Sequence, residues 1–441
     1  MDKKKMDKKK YNKKRAITYL LQLLVFVLVI GSLTITGLII TARPSYSESE
    51  KRELSKFPKF SIETFFNGEY FRGIGDWYSD TYPFREKLVG LNSKIKSIYG
   101  ISSEEVHGNV DVGDDIPDEY VEPLTDNSIE ENTTEDNSYI VENGDTQSLG
   151  AVFVLNNTGY EYYNFSADVA NKYISLMNKQ ADDLKGIANV YNMIVPTSIA
   201  ISLPDNYINS INSSDQKKAI NYFNSGLNDN VNKVPIFDSL MSHRKEYIYY
   251  NTDHHWTSLG AYYAYEQFAK ISQKECIPLS QYTEKRFDGF LGSFYNDTGK
   301  LPALEKNPDT VVTYAPNKNA TMYYLDKKGT KISWPIVNDV TKYPQSLKYS
   351  TFIGGDNPYT EIENPDIKDG SSIVVIKESF GNAFVPFLVE NYNKIYVIDY
   401  RYYNGSVSGL VKDKNIDDVL YINNVSALRN KYLVSKISST L

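Results

Sequence analysis

Only one cysteine, Cys276, occurs in 441 residues, and histidine appears four times. A lone cysteine excludes both an intramolecular disulfide framework and a CxxC metal-ligand set. No GxxxxGK(S/T) phosphate loop is present, which argues against an ATP- or GTP-driven machine. Residues 102–149 contain no Lys or Arg at all, against fifteen Asp or Glu. The net charge of −7 and pI near 5.4 argue against a general nucleic-acid binder.

Positive charge is instead gathered at the start. Residues 1–15 carry nine Lys or Arg and two Asp, and residues 16–40 then run for 25 positions without a charge, rich in Leu, Ile and Val. About 20 apolar residues span a hydrocarbon core, so this run is expected to be a transmembrane anchor with a cytoplasmic basic tail at 1–15 and everything after it outside. The other reading is a cleaved signal peptide, but the run exceeds the usual signal length and no convincing small-x-small site follows it. Residues 41–101 read as a membrane-proximal helical segment, with Leu88, Leu91, Ile95 and Ile98 at three- and four-residue spacing. Residues 102–149, too polar to offset their ordering entropy, are expected to form an acidic disordered loop, and their acids do not follow an EF-hand spacing.

From residue 150 strand-like and helix-like runs alternate. Apolar runs at 151–155, 190–195 and 234–237 read as strands, and 166–184, 215–223 and 259–271 as helices, the last capped by Thr257 or Ser258. Residues 275–349 break the rhythm with short β-rich runs and read as an insertion between a first core part, 150–274, and a second, 350–441. The second part returns to alternation: strands at 372–376, 395–398 and 418–422, helices at 382–391 and 406–411. Alternation of this kind predicts an α/β fold with a parallel sheet covered by helices on both faces. Tyrosine, at 37 residues, either stacks on sugar rings or packs half-buried surface.

Two of the four histidines fall in Thr252-Asp253-His254-His255-Trp256-Thr257. In an extended segment residues two apart share a side, so Asp253 is expected to pair with His255 while His254 points away. The missing nucleophile is best supplied by Ser379, just past the apolar strand at 372–376 and before Gly381 and a helix. A serine there sits at the carboxyl end of a strand, where open α/β sheets place their sites. His255 would take its proton and Asp253 would orient the imidazole. Backbone N–H groups of Phe380 or Gly381, with the Asn382 side chain, would stabilise an oxyanion. The alternative is that Ser379 merely caps the helix. Asp-His-His also suits a metallophosphoesterase, but the further Asp ligands are not evident, and His107 and His243 show no zinc spacing, so no metal is expected.

The same residues carry a family resemblance. Thr252-Asp253-His254-His255-Trp256-Thr257 with Gly260-Ala261-Tyr262-Tyr263-Ala264, Gly289-Phe290-Leu291-Gly292-Ser293-Phe294-Tyr295, Lys377-Glu378-Ser379-Phe380-Gly381-Asn382 and Asp399-Tyr400-Arg401 resembles the DHHW protein family of Firmicutes. Arg52-Glu53-Leu54-Ser55-Lys56-Phe57-Pro58 extends the likeness over nearly the whole chain. That family is similar to the SGNH-hydrolase-like domain of alginate O-acetyltransferases. The resemblance implies an SGNH-like, flavodoxin-like core, roles for Asp253, His255 and Ser379 in acyl transfer to a polysaccharide, and an integral membrane O-acyltransferase as acyl supplier. Arg401 would bind substrate or pair with Asp399. No cofactor is implied. Transfer of an acetyl group to an exopolysaccharide or cell-wall glycan is the leading expectation; an esterase with the same triad, or a non-catalytic glycan-binding scaffold, stands beside it.

Overall fold

The computed structural model describes residues 152–441 apart from 317 and 318, together with shorter stretches before them, chiefly 52–66, 68–83, 113–117 and 146–149. The chain divides into two units, residues 1–95 and 96–441. In the first unit, helix Ile62–Phe66 is followed by helix Glu69–Asp80, which Gly68 introduces at φ 84°. Most of the expected membrane span at 16–40 falls outside the described residues, and so do Leu88, Leu91, Ile95 and Ile98. Among the described residues no helix is long and apolar enough to cross a membrane.

The second unit starts with an antiparallel meander of β1 (Thr146–Leu149), β2 (Val152–Leu155) and β3 (Thr158–Glu161). Residues 151–155 were expected in the main sheet. Asn156-Asn157 instead makes a two-residue hairpin turn, with Asn156 at φ 56°, which returns the chain at once as β3. After α1 (Ala167–Asp183) come β4 (Asn189–Val195), α2 (Gln216–Gly226), β5 (Val231–Lys233) and α3 (Ser258–Ile271), whose first turn is capped by the Thr257 hydroxyl. β6 (Thr283–Phe290) and β7 (Asp309–Ala315) form a separate hairpin. β8 (Thr321–Leu325), β9 (Lys331–Ser333), β10 (Tyr359–Glu363), β11 (Ser372–Lys377), α4 (Gly381–Leu388), β12 (Lys394–Asp399), α5 (Val407–Lys414), β13 (Asp418–Asn424) and α6 (Lys431–Ser438) complete the unit.

The main sheet has the order β9-β8-β10-β12-β11-β13-β4-β5. It is mixed, not parallel as expected: β12, β11, β13, β4 and β5 run parallel, while β10, β8 and β9 add an antiparallel edge. Asp326 accepts the N–H groups of Lys328 and Thr330 at 2.8 Å each and Gly329 takes φ 81°, folding residues 321–333 into the β8–β9 hairpin, while β8 pairs antiparallel with β10 and β10 with β12. The expected β-rich insertion at 275–349 thus contributes two strands to the sheet itself.

Successive side chains of the central strands divide between two cores, as a pleated sheet with both faces covered requires. Ile373, Val375, Ile395, Val397, Leu420 and Ile422 pack on the face carrying α3 and α4. Val374, Ile376, Tyr396, Ile398, Val419 and Tyr421 pack on the face carrying α1 and α2. Part of the acidic stretch is ordered: the Asp114 carboxylate accepts the Ala167 N–H at 2.9 Å and caps α1, and Ile116 joins the second core. Most of the remainder lies outside the described residues.

α4 starts directly against β11, since a Cβ on Gly381 would lie 2.6 Å from the Lys377 Cβ. The turn between them, residues 378–380, is therefore held tightly at the carboxyl end of the sheet. Ile376, fully buried on β11, is part of that support. Ile376→Ala should lower stability by about 2–5 kcal/mol. In urea unfolding the midpoint is expected to drop with the slope unchanged.

Candidate active site

Residues 251–255 form a bent loop rather than the extended segment expected, and one buried carboxylate holds its start. Asp309 accepts the N–H groups of Asn251 and Thr252 at 2.8 and 2.7 Å and the Thr252 hydroxyl at 2.6 Å, and it also accepts the Tyr247 hydroxyl. Burial raises the Asp309 carboxyl even though these donors pull the other way. Asp253 follows. Its Oδ1 accepts the His255 N–H at 3.0 Å, an Asx-type turn that brings i and i+2 together without a strand. The same oxygen meets His255 Nδ1 at 2.5 Å, and Oδ2 accepts the Ser293 N–H at 2.8 Å. Gly292 lies so close that a Cβ there would sit 2.2 Å from the Asp253 carboxylate.

His255 Nε2 stands 2.7 Å from the Ser379 hydroxyl, closing a hydrogen-bonded chain from Asp253 through His255 to Ser379. An ionised carboxylate only accepts, so Nδ1 carries the proton and Nε2 is left to accept from Ser379. The imidazole is fixed from the side as well. Tyr349 stacks on it with ring centroids 4.1 Å apart and planes 14° from parallel. Two aromatic donors also hold the serine turn: the Tyr349 hydroxyl donates to the Ser379 carbonyl at 3.0 Å, and the Trp256 indole donates to the Phe380 carbonyl at 3.0 Å.

Glu378 lies beneath this turn. Its carboxylate accepts the Phe380 N–H at 3.1 Å and the Asn424 N–H at 2.9 Å, and it lies 3.3 Å from the Ser379 hydroxyl. Burial pushes its carboxyl above the ordinary range despite the opposing pull of Arg401 and these two donors. His254 does not point away. Its ring lies 3.9 Å from that of His255, and its Nδ1 bonds Ser293 Oγ at 2.6 Å. Burial, and then the neighbouring His255, push its imidazole down to about 4.

The other residues singled out in the sequence have partners already. Phe380 N–H is directed at Glu378, Gly381 N–H donates to the Glu378 carbonyl at 3.1 Å, and Asn382 Nδ2 donates to Asp356 at 2.9 Å. Arg401 does pair with Asp399, at 2.8 and 2.6 Å, and reaches Asp356 at 2.9 Å. Lys377, buried on β11, joins the same two carboxylates at 3.2 and 3.3 Å. Burial alone would raise the Asp356 carboxyl, but Arg401 and Lys377 outweigh it and hold it far below the usual range. Asp253, His254 and His255 also form the one cluster among the described residues with metal-ligating atoms close together. A zinc ion about 2.0–2.2 Å from each ligand would hold those atoms roughly 3 Å or more apart. The 2.5 Å Asp253–His255 contact is instead that of a hydrogen bond.

Two outcomes test this geometry. Gly292→Ala should displace the Asp253 carboxylate and lower the rate at which an activated ester acylates Ser379 by about a hundredfold or more, with circular dichroism unchanged. Protonation of His254 is resisted in the folded chain between its ordinary value of 6.5 and about 4, so the unfolded chain binds the extra proton there. Stability should therefore fall as pH drops through that window. His254→Gln should make the fall shallower when urea midpoints are compared across it.

Comparison with known proteins places the chain. A family model described as DHHW protein matches residues 50–139 and 121–398. No curated protein matches the chain. A DHHW family protein from Eubacterium siraeum is similar at 33% identity, over 68% of this chain and 98% of that one, with a TM-score of 0.61. Bacillus cereus PatB1 is similar in fold at 22% identity, over 66% of this chain and 99% of that one, with a TM-score of 0.53. PatB1 with a sulfonyl adduct is similar at 20% identity, over 66% and 98%, with a TM-score of 0.52. The loop that Asp309 anchors is thus the motif for which the family is called, and the chain belongs to the DHHW protein family.

Proposed function

We propose that the chain is a membrane-anchored O-acyltransferase, with residues 16–40 as the anchor, that moves an acyl group, foremost acetyl, onto a hydroxyl of an extracellular polysaccharide through Ser379. The observation that carries this reading is the unbroken chain of hydrogen bonds Asp253–His255–Ser379. An imidazole held in one tautomer against a serine hydroxyl is the arrangement nucleophilic acyl transfer needs.

In the first half-reaction the Ser379 hydroxyl proton passes to His255 Nε2 as the oxygen attacks the donor's carbonyl carbon. The tetrahedral adduct collapses, the leaving group takes that proton, and an acyl-Ser379 ester remains. In the second half an acceptor hydroxyl gives its proton to His255 and attacks the ester, and Ser379 leaves with the proton restored. Asp253 stabilises the imidazolium in both halves. Among the described residues nothing accepts a hydrogen bond from the Ser379 backbone N–H, and it stands at the start of α4, where the helix dipole favours negative charge. That N–H is therefore our choice of oxyanion donor ahead of Phe380 and Gly381, which are already engaged.

The family resemblance supports a glycan acceptor and an integral membrane O-acyltransferase as donor. Hydrolysis shares the first half-reaction and differs only in taking water in the second. The test is intact-protein mass spectrometry of the full-length protein after exposure to a sulfonyl fluoride and, separately, to an activated acetyl ester. One covalent adduct is expected on the wild type and none on Ser379→Ala, with His255→Ala slowed by about a thousandfold or more. Equal labelling of all three proteins would overturn the reading. Loss of the acetyl group to water alone, with glycan present, would make the chain an esterase.

A further inference from the structure

Beside His255, three segments distant in sequence bring together an imidazole, a carboxylate and a guanidinium. His254 contributes an imidazole that is 32% exposed and whose Nε2 has no partner among the described residues, Nδ1 being occupied by Ser293. Glu161 ends β3, and β3 is fastened to the Asn251 loop: the Gly159 N–H donates to the Asn251 carbonyl at 2.8 Å, and the Thr158 hydroxyl to the Asn251 side chain at 3.0 Å. Its carboxylate is thereby carried close enough to the His254 ring to interact with it electrostatically. Arg429 stands on the turn after β13 and faces Glu161 across 4.0 Å, the two side chains 29% and 24% exposed.

That 4.0 Å separation is longer than a hydrogen bond, and the Arg429 guanidinium makes no hydrogen bond among the described residues. Arg401 differs, being engaged by two carboxylates at 2.6 to 2.9 Å. Of the two arginines, Arg429 is the one with donors to offer a ligand. A carboxylate that accepts, a guanidinium that donates in a plane and a neutral imidazole together match the alternating donors and acceptors of adjacent hydroxyls on a sugar ring.

We propose that Glu161, His254 and Arg429 form the acceptor subsite, binding a vicinal diol of the polysaccharide so that one hydroxyl lies next to His255. This rests on the acyl-Ser379 reading and deepens it. Contact between the His254 and His255 rings puts the bound hydroxyl beside the imidazole that must take its proton. Its oxygen then bonds the acyl carbon as the bond to Ser379 breaks, and His255 returns the proton to Ser379.

The experiment acetylates full-length protein with p-nitrophenyl acetate and follows the fate of the acetyl group on adding methyl glucoside, a vicinal cyclohexanediol or cyclohexanol. Wild type is expected to transfer to the glucoside and the diol in preference to the single alcohol. In Glu161→Gln, Arg429→Met and His254→Gln the ratio of transfer to acylation should fall about tenfold each, the loss of one charge-assisted or buried hydrogen bond. Arg429→Lys should recover only part of it, since a point charge lacks the planar fork. Arg429→Met lies at a half-exposed rim, so a folding defect in the other two variants still leaves a reading. Variants that keep the wild-type ratio, or a wild type that acylates yet transfers to none of the three or favours cyclohexanol, would overturn the subsite while leaving Ser379 as nucleophile. Absence of acylation in the wild type would instead defeat the nucleophile reading, and the subsite with it.

Discussion

The placement of one carboxylate governs the rest of this site. Asp309 is 2% exposed and gathers donors from Tyr247, Asn251 and Thr252, with the loop's direction set before Asp253 is reached. A buried charge is tolerated only when its oxygens are satisfied, and here the donors are the backbone of the loop it must position. The strand carrying Asp309 belongs to the small β6–β7 hairpin rather than to the main sheet. His255, which reaches the turn carrying Ser379, is thus steered by an element outside the sheet.

A second constraint works from the other side. The carbonyls of Ser379 and Phe380 are each held by an aromatic donor, Tyr349 and Trp256, and Trp256 is itself part of the motif loop. The loop that carries His255 therefore also grips the turn that carries Ser379. Next to them, Lys377, Asp356, Asp399 and Arg401 tie the ends of β11 and β12 together as an ion network.

Much of this was legible in the sequence, for reasons that differ by residue. Asp253, His255 and Ser379 stood out because scarce histidine, an acid two positions away and a serine after a buried strand form a local pattern, although the pair is joined by a bent Asx-type turn rather than by strand alternation. Gly292 and Ser293 were visible only as part of a motif; their contact with the Asp253 carboxylate is made across about forty positions of chain. Glu378 too was visible only as part of a motif, and Asp309 and Tyr349 carried no local signal, since an acid or tyrosine acquires meaning from what the fold places against it. The parallel sheet was over-read for a similar reason: strand-helix alternation is local, whereas the antiparallel edge comes from β10 pairing with β12 and from the β8–β9 hairpin beyond it, both set by the tertiary fold.

Ser379 and His255 are 124 positions apart, and the residues between them include the β6–β7 hairpin and the whole antiparallel edge of the sheet. Long-range pairing of this kind forms late, after the entropy of closing the intervening chain has been overcome. Until then Ser379 has no imidazole beside it. On the acyl-Ser379 reading proposed above, a newly made or partly folded copy would be silent toward esters, and labelling by an electrophile would count correctly folded molecules.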